Sequence, residues 1–180
     1  LSKGDMDIFF KDVDDPVLFR RVKENPQLAY STSFGLYIEL TFNPVGPEYK
    51  DGRLNPFSNP KIREAMNLVI DRQYIVDEIM GGLATPKFVP LSKGFPEYDR
   101  YKTTISTIET TYRYSFSRGQ KTISDELKKM GAELKGGKWY YKGKPITVKF
   151  LIRSEDRRKA IGDYVSGQLE KLGFTVERMY

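Results

Sequence analysis

Carboxylates are the main side chains in this sequence that could support catalysis or metal binding, because the 180 residues include no cysteine and no histidine. This absence excludes thiol nucleophiles, serine–histidine–aspartate triads, disulfides and the usual zinc sites. Asp12, Asp14 and Asp15 lack the spacing of a calcium loop and indicate the solvated start of a helix. Asp77 and Glu78 are adjacent on a predicted helix, so they point apart and make a poor acid–base pair. We therefore expect no enzyme activity, no cofactor and no metal site.

Basic side chains are concentrated in the C-terminal part of the chain. Residues 100–180 carry 18 Lys/Arg and 9 Asp/Glu, whereas residues 1–99 carry 12 and 15. A basic patch suits nucleic acid, anionic lipid or an acidic partner, but a solvated surface is the favoured interpretation. No nucleic-acid-binding motif accompanies the charge. A basic nucleic-acid-binding module is therefore a remote alternative, and we expect no nucleic acid partner.

The composition indicates one ordinary domain or one large lobe of a longer protein. Hydrophobic residues make up 39% of the chain, which is enough for a core. No run approaches the roughly 20 apolar residues of a membrane span. The first ten residues, which begin at Leu1, do not form a signal peptide, so we expect the natural start to be missing. Five Asn, four Gln, no Cys and 30% charged residues suggest a thermophile.

Strands and helices alternate along the chain, which predicts an α/β fold with a mixed sheet flanked by helices. Met6–Phe10 is a short apolar run and predicts a buried strand. Leu36–Asn43 alternates apolar and polar residues and is the clearest strand. Trp139–Tyr141, a Lys-Gly turn and Ile146–Ile152 predict a hairpin, and Phe174–Tyr180 predicts a last strand.

The predicted helices carry recognisable ends. Asp15-Pro16 and Asn59-Pro60 each combine a capping residue with proline at the first helical position. A further helix follows Asp71 and ends at Gly81-Gly82, and another is expected over Ser117–Met130. Ser154 is expected to cap a strong C-terminal helix. The stretch 84–114 shows little periodicity, so we interpret it as a long irregular loop.

Several motifs follow one another in a characteristic order. They are Gly4-Asp5-x-Asp7-Ile8, Phe42-Asn43, Pro56–Ala65 (PFSNPKIREA), Ile70-Asp71-Arg72, Gly82-x-Ala84-Thr85-Pro86, Trp139–Ile146 (WYYKGKPI) and Leu169–Val176 (LEKLGFTV). In this order they resemble the extracytoplasmic solute-binding proteins of ABC importers, in the oligopeptide/dipeptide/nickel-binding family (family 5). The resemblance covers nearly the whole chain. Asn59 stands where that family commonly has Asp, and Ser117–Gln120 replaces its usual helix start.

The resemblance implies a periplasmic-binding-protein-like lobe (type II, cluster C). Because family members are much longer, residues 1–180 are expected to be a single lobe, most of the second of two. Solute is held between the lobes, which close by a hinge, and is delivered to ABC permease subunits. The implied location is extracytoplasmic, periplasmic or at the cell surface, with a membrane anchor in a missing N-terminal segment. A monomer is expected.

The resemblance also implies where a ligand binds. Ser33, Phe34, Gly35 and Tyr37 occupy the family's cleft-facing start of the long strand, and they suit a peptide backbone. Arg157 follows Ser154 in a turn whose basic side chain, in oligopeptide-binding relatives, meets the ligand's carboxylate. For Phe34, a place in the ordinary core is the alternative, and for Arg157, an exposed helix start. Arg63 and Asp71 are expected to fix helices rather than to bind ligand.

A peptide is the expected ligand, and an oligosaccharide is the alternative within the family. Aromatic side chains are the reason for the alternative, since some relatives bind sugars on aromatic platforms. The aromatic residues in question are Trp139, Tyr140, Tyr141 and the tyrosines of residues 98–114.

Overall fold

The structure is a computed structural model that describes residues 3–33 and 37–180. These residues form two compact units, which are described separately. Unit 1 comprises Leu1–Leu36 and Arg72–Ser106, and unit 2 comprises Tyr37–Asp71 and Thr107–Tyr180.

The α-helices are Pro16–Glu24 (α1), Pro60–Val69 (α2), Arg72–Tyr74 (α3), Pro96–Arg100 (α4), Lys102–Thr111 (α5), Phe116–Lys129 (α6) and Arg158–Lys171 (α7). A 3-10 turn spans Pro56–Ser58, and α3 continues as a π-helix over Ile75–Ile79. The strands are Glu133–Lys135 (β1), Lys138–Tyr141 (β2), Lys144–Pro145 (β3), Thr147–Leu151 (β4) and Thr175–Met179 (β5).

In unit 1, the predicted cap of α1 is confirmed. Asp15 Oδ1 accepts a hydrogen bond from the Leu18 amide at 2.8 Å, and Pro16 is the first helical residue. This side chain satisfies an amide that has no partner within the helix. The ring of Phe19 on α1 packs edge-on against Tyr30, with centroids 5.1 Å apart.

In unit 2, α2 and α6 pack against one another and supply much of the core. Asn59 Oδ1 caps α2 by accepting from the Lys61 amide at 2.9 Å, as predicted. The apolar positions of both helices are buried, because they recur at helical spacing on one face. The buried cluster comprises Leu54, Phe57, Ile62, Ala65, Met66, Val69, Ile123, Leu127, Ala132, Trp139, Ile146, Val165, Leu169, Leu172 and Phe174.

The strands of unit 2 form two small sheets. β1, β2 and β3 make an antiparallel meander, and β4 pairs with β5 in parallel. The turn between β2 and β3 places Lys142 and Gly143 at φ 48° and 77°, the two left-handed positions of a tight hairpin turn. The predicted turn is therefore confirmed, but the predicted second arm is wrong. The strand that pairs with β2 after the turn is Lys144–Pro145, whereas Ile146–Ile152 supplies β4 of the other sheet.

Two predicted strands are wrong. Met6, Ile8, Phe9 and Phe10 are exposed and lie outside any strand, with Phe10 fully exposed. Residues 37–43 of the second predicted strand are also outside any strand, and Leu36 lies outside the described residues. Leu40 and Phe42 turn inward as the alternation predicts, but Ile38, predicted on the same face, is 53% exposed. A strand needs a hydrogen-bonded neighbour, which a single segment's pattern does not reveal.

Two helix predictions need correction. The C-terminal helix begins at Arg158 rather than directly after Ser154, and Asp156 Oδ1 accepts from the Arg158 amide at 2.9 Å. The stretch 84–114 is not irregular throughout, because it contains α4 and α5. Only Ile105 is buried on α5, so this helix has no apolar stripe for a sequence pattern to reveal.

Candidate ligand-binding site

The extended segment Tyr37–Asn43 in unit 2 carries one of the predicted site residues. Tyr37 is 56% exposed, and the segment behind it is held by apolar packing. The Phe42 ring lies 4.5 Å from the Phe57 ring, centroid to centroid, and Leu40 packs against the same core. One side of the segment is therefore anchored, while Tyr37 presents an aromatic ring to solvent.

The turn between β4 and α7 carries another predicted site residue, Arg157. β4 and β5 are parallel, so both strands end at the same edge, and α7 begins there. The Ile152 amide donates to the Met179 carbonyl at 2.7 Å and closes the pair at this edge. In open α/β sheets, ligands bind outside the carboxyl ends of the strands. The turn lies at the carboxyl edge of this two-stranded parallel pair.

Ion pairs within the turn organise its charges. Arg153 Nε donates to Glu155 Oε2 at 2.9 Å, and Arg158 Nε donates to Asp156 Oδ1 at 2.8 Å. The Arg158 side chain, together with its backbone amide, holds the pKa of Asp156 below its ordinary value. Arg157, which is half-buried, is the residue directly before the first turn of α7. The positive end of the helix dipole and the guanidinium together favour an anionic group here.

A further group of side chains lies at the same edge and was not predicted from the sequence. Lys159 Nζ donates to Asp163 Oδ2 at 2.7 Å, and the Tyr180 hydroxyl donates to Asp163 Oδ1 at 2.6 Å. The hydrogen bond from Lys159, and to a lesser extent that from Tyr180, lowers the pKa of Asp163. The same bond to Asp163 raises the pKa of Tyr180. The i, i+4 spacing of Lys159 and Asp163 was a usable signal. The contact of Tyr180 with Asp163 had no such signal, because it depends on how β5 lies beside α7.

A shallow groove of about 410 Å³ lies elsewhere on unit 2. Pro44, Gly46, Pro47 and Glu126 are among the residues that line it. Lys129 and Asn59 donate to the Glu126 carboxylate, so this charge is already satisfied within the protein. Of the predicted ligand-binding residues that the structure describes, Ser33, Tyr37 and Arg157, none lines the groove.

The predicted site residues fall in different parts of the chain. Ser33 is exposed and belongs to unit 1, whereas Tyr37 and Arg157 belong to unit 2. Phe34 and Gly35 lie outside the described residues. Their roles in binding therefore stay predictions.

Two residues expected to be scaffold make structural bonds. Arg63 Nη1 donates to the carbonyls of Phe57 and Ser58, at 2.6 and 3.0 Å, and so secures the turn before α2. The Asp71 amide donates to the Tyr164 hydroxyl at 3.0 Å, which ties the end of α2 to α7. Within residues 3–33 and 37–180, no three acidic side chains gather as metal ligands, and no helix is long and apolar enough for a membrane span.

Residues 1–178 match the sequence profile of the bacterial extracellular solute-binding proteins, family 5 Middle. The chain belongs to this family. The resemblance drawn from the ordered motifs is thereby confirmed. Family 5 consists of substrate-binding proteins rather than enzymes, and it is an extracellular family.

Solved structures share the fold of this family 5 protein. NikZ from Campylobacter jejuni, in complex with Ni(L-His), matches with a TM-score of 0.51 and 18% identity over 68% of this chain and 23% of that one. The oligopeptide-binding protein AppA from Bacillus subtilis, in complex with a nonapeptide, matches with a TM-score of 0.52 and 21% identity over the same shares. A substrate-binding domain of an oligopeptide ABC transporter from Bacillus anthracis matches with a TM-score of 0.52 and 22% identity over 71% and 23%.

These matches confirm the α/β, periplasmic-binding-protein-like fold class. The aligned part of the family 5 protein spans about a quarter of the length of these structures. No curated protein sequence matches the chain.

Proposed function

We propose that this chain is a lobe of the substrate-binding component of an ABC import system that captures oligopeptides or dipeptides. Its partners are the peptide and the permease subunits that receive it. The match of residues 1–178 to family 5 is the observation that carries the proposal. The AppA structure, which shares the fold, contains a nonapeptide, and this makes a peptide the favoured ligand class.

The chemistry of the two site segments supports a peptide. The exposed Tyr37 ring suits stacking or packing against peptide groups, and Ser33, Phe34 and Gly35 precede it in the chain. Arg157, at the positive end of α7, suits a carboxylate, because a guanidinium offers a planar pair of donors that matches carboxylate geometry. We assign Arg157 to the carboxylate of the peptide and the segment ending at Tyr37 to its backbone.

We further propose that the protein is a monomer, located outside the cytoplasm and attached to the membrane surface through an N-terminal segment. The extracellular character of the family supports this location. The excess of basic residues in the C-terminal part does not require nucleic acid binding, because many of these side chains pair with carboxylates. Such pairs include Lys121–Asp125, Lys129–Glu126, Lys149–Glu177 and Arg178–Glu170.

An oligosaccharide is the second candidate ligand, but fewer of the aromatic residues named from the sequence could stack on it. Trp139 is only 2% exposed and donates from Nε1 to the Leu172 carbonyl at 2.9 Å, so it belongs to the core and offers no platform. Tyr101 and Tyr114 keep 51% and 44% of their surfaces exposed. Exposed aromatic rings of this kind suit stacking on sugar faces.

Calorimetric titration of the full-length protein with peptide acids, peptide amides and oligosaccharides tests the proposal. We expect peptides to bind and amidation of the C-terminus to weaken binding. Arg157→Gln should weaken binding of peptide acids about tenfold or more, as for a lost hydrogen bond to a charged group, and leave peptide amides unaffected. Arg153→Gln is the matched control, because it makes the same change at another arginine of this turn, one that pairs with Glu155. Binding of oligosaccharides alone would refute the peptide assignment.

A further inference from the structure

Asn55 in unit 2 is a polar side chain with no exposed surface. Its Nδ2 donates to the backbone carbonyls of Asn43 at 2.8 Å and Val45 at 2.6 Å. Its Oδ1 accepts from the Phe57 amide at 3.0 Å, which caps the 3-10 turn Pro56–Ser58. Both amide hydrogens and the carbonyl oxygen are therefore used. A buried amide with every group satisfied holds its partners in one arrangement, because breaking a bond leaves a polar group without water.

The segment that Asn55 holds lacks the usual support of an extended chain. Residues 38–43 belong to no strand, so ladder hydrogen bonds do not fix their position. Packing of Leu40 and Phe42 fixes one side of the segment, and the Asn55 amide fixes its carboxyl end at Asn43. The Val45 amide donates to Asn43 Oδ1 at 3.0 Å and tightens this end further. Tyr37 lies only three residues before the first of these anchors.

We propose that Asn55 is a positioning residue for ligand binding, which locks the carboxyl end of segment 37–43 and thereby sets where Tyr37 stands. This inference rests on the proposed function, in which Tyr37 contacts the peptide. Binding groups need support from neighbours that keep them within a fraction of an ångström of the productive position. In a sheet, hydrogen bonds to neighbouring strands hold an extended segment in place. Here the buried Asn55 amide holds it, together with the packing of Leu40 and Phe42.

Asn55→Asp separates the two roles of this side chain. Aspartate has nearly the same shape and still accepts from the Phe57 amide, so the cap of the turn is kept. It loses both donors and turns an oxygen toward the carbonyls of Asn43 and Val45. Asn55→Ser is a second variant, which keeps an acceptor and replaces the two amide donors with one hydroxyl on a shorter side chain, without burying a charge. Asn67→Asp makes the same chemical change at a partly exposed position on α2 in the same unit and serves as the control.

Amide hydrogen exchange in the ligand-free, full-length protein tests the positioning directly. The Val45 amide, which donates to Asn43 Oδ1, reports on this end of the segment. We expect Asn55→Asp or Asn55→Ser to speed exchange of the Val45 amide about tenfold or more, as for the loss of one hydrogen bond, and to leave α7 unchanged. A merely structural role would instead speed exchange evenly across unit 2. Unchanged exchange at Val45 in a folded variant would overturn the proposal, and so would an even increase.

Calorimetric titration of the same variants with a peptide tests the consequence for binding. We expect the Kd to rise about tenfold, the equivalent of 1.4 kcal/mol, with no change for Asn67→Asp. Local loosening without any loss of affinity would overturn the role in binding. If the unmodified protein binds no peptide, the proposed function fails, and the exchange measurement alone decides whether Asn55 positions the segment.

Discussion

Glu126 is a carboxylate held largely inside unit 2, with only 8% of its surface exposed. Lys129 Nζ donates to Oε1 at 2.6 Å and Asn59 Nδ2 donates to Oε2 at 3.0 Å. These bonds, that from Lys129 foremost, hold the pKa of Glu126 below its ordinary value. Asn59 also caps α2, so one side chain joins the start of α2 to a charge on α6. Among the described residues, no fully buried side-chain nitrogen or oxygen lacks a partner.

The lowered pKa of Glu126 predicts how stability depends on pH. Because the folded pKa lies below the unfolded value of about 4.3, the stabilisation is present above that pH and is lost as the pH falls through the folded pKa. We expect Glu126→Gln to lower the melting temperature near neutral pH, and the two melting curves to converge in acid. Thermal unfolding of the variant and the parent protein, followed from neutral to acidic pH, measures this dependence. Glu24→Gln, at an exposed position, is the control, and a constant gap between the Glu126→Gln variant and the parent protein at every pH would contradict the prediction.

The helix α7 lies close against the segment that follows β4. A Cβ built on Gly162 would stand 2.5 Å from Cγ2 and 2.9 Å from Cγ1 of Ile152, whose side chain is buried. Ile152 is β-branched and has little freedom to move aside. Gly167, also on α7, has nothing within 4 Å of the same position. The absence of a side chain at Gly162 therefore allows the helix to approach the turn that carries Arg157.

Alanine at the two glycines of α7 should have opposite effects. We expect Gly162→Ala to lower the free energy of unfolding by about 1–3 kcal/mol through overpacking. Gly167→Ala should raise it by about 0.4–1 kcal/mol, because alanine loses less conformational entropy in a helix. Urea denaturation of both variants measures the difference. Equal effects at the two positions would show that α7 does not approach Ile152 so closely.

The chain comprises two compact units, and the 68% of it that aligns with AppA covers 23% of that protein. Its interpretation as a single lobe, most of the second, is part of the proposed function. If solute is held between two lobes, one lobe supplies only part of the contacts. It also supplies only part of the water-excluding surface that strengthens polar contacts.

We therefore expect the 180-residue chain alone to bind peptides weakly or undetectably. Calorimetric titration of this chain beside the full-length protein, with the same peptide, measures the difference. Micromolar binding by the isolated chain would contradict the prediction and would place a complete site within residues 1–180.

Local sequence signals determined the helix ends and the tight turns of this protein. Asp15 and Asn59 were predictable as caps, because a cap bonds to an amide two or three residues away. Lys142-Gly143 was predictable as a turn for the same reason, since its geometry depends on two residues. The ordered motifs were also enough to indicate the family.

Tertiary structure alone decided which extended segments have neighbours and which side chains meet. Tyr37–Asn43 alternates like a strand, yet the contacts that hold it come from Phe57 and Asn55, more than ten residues further along the chain. Trp139 was a candidate sugar platform from the sequence, whereas its indole donates to the Leu172 carbonyl in the core. A periodic pattern reports which face of a segment is apolar. The partner on that face is set by the packing of distant parts of the chain, which no local pattern contains.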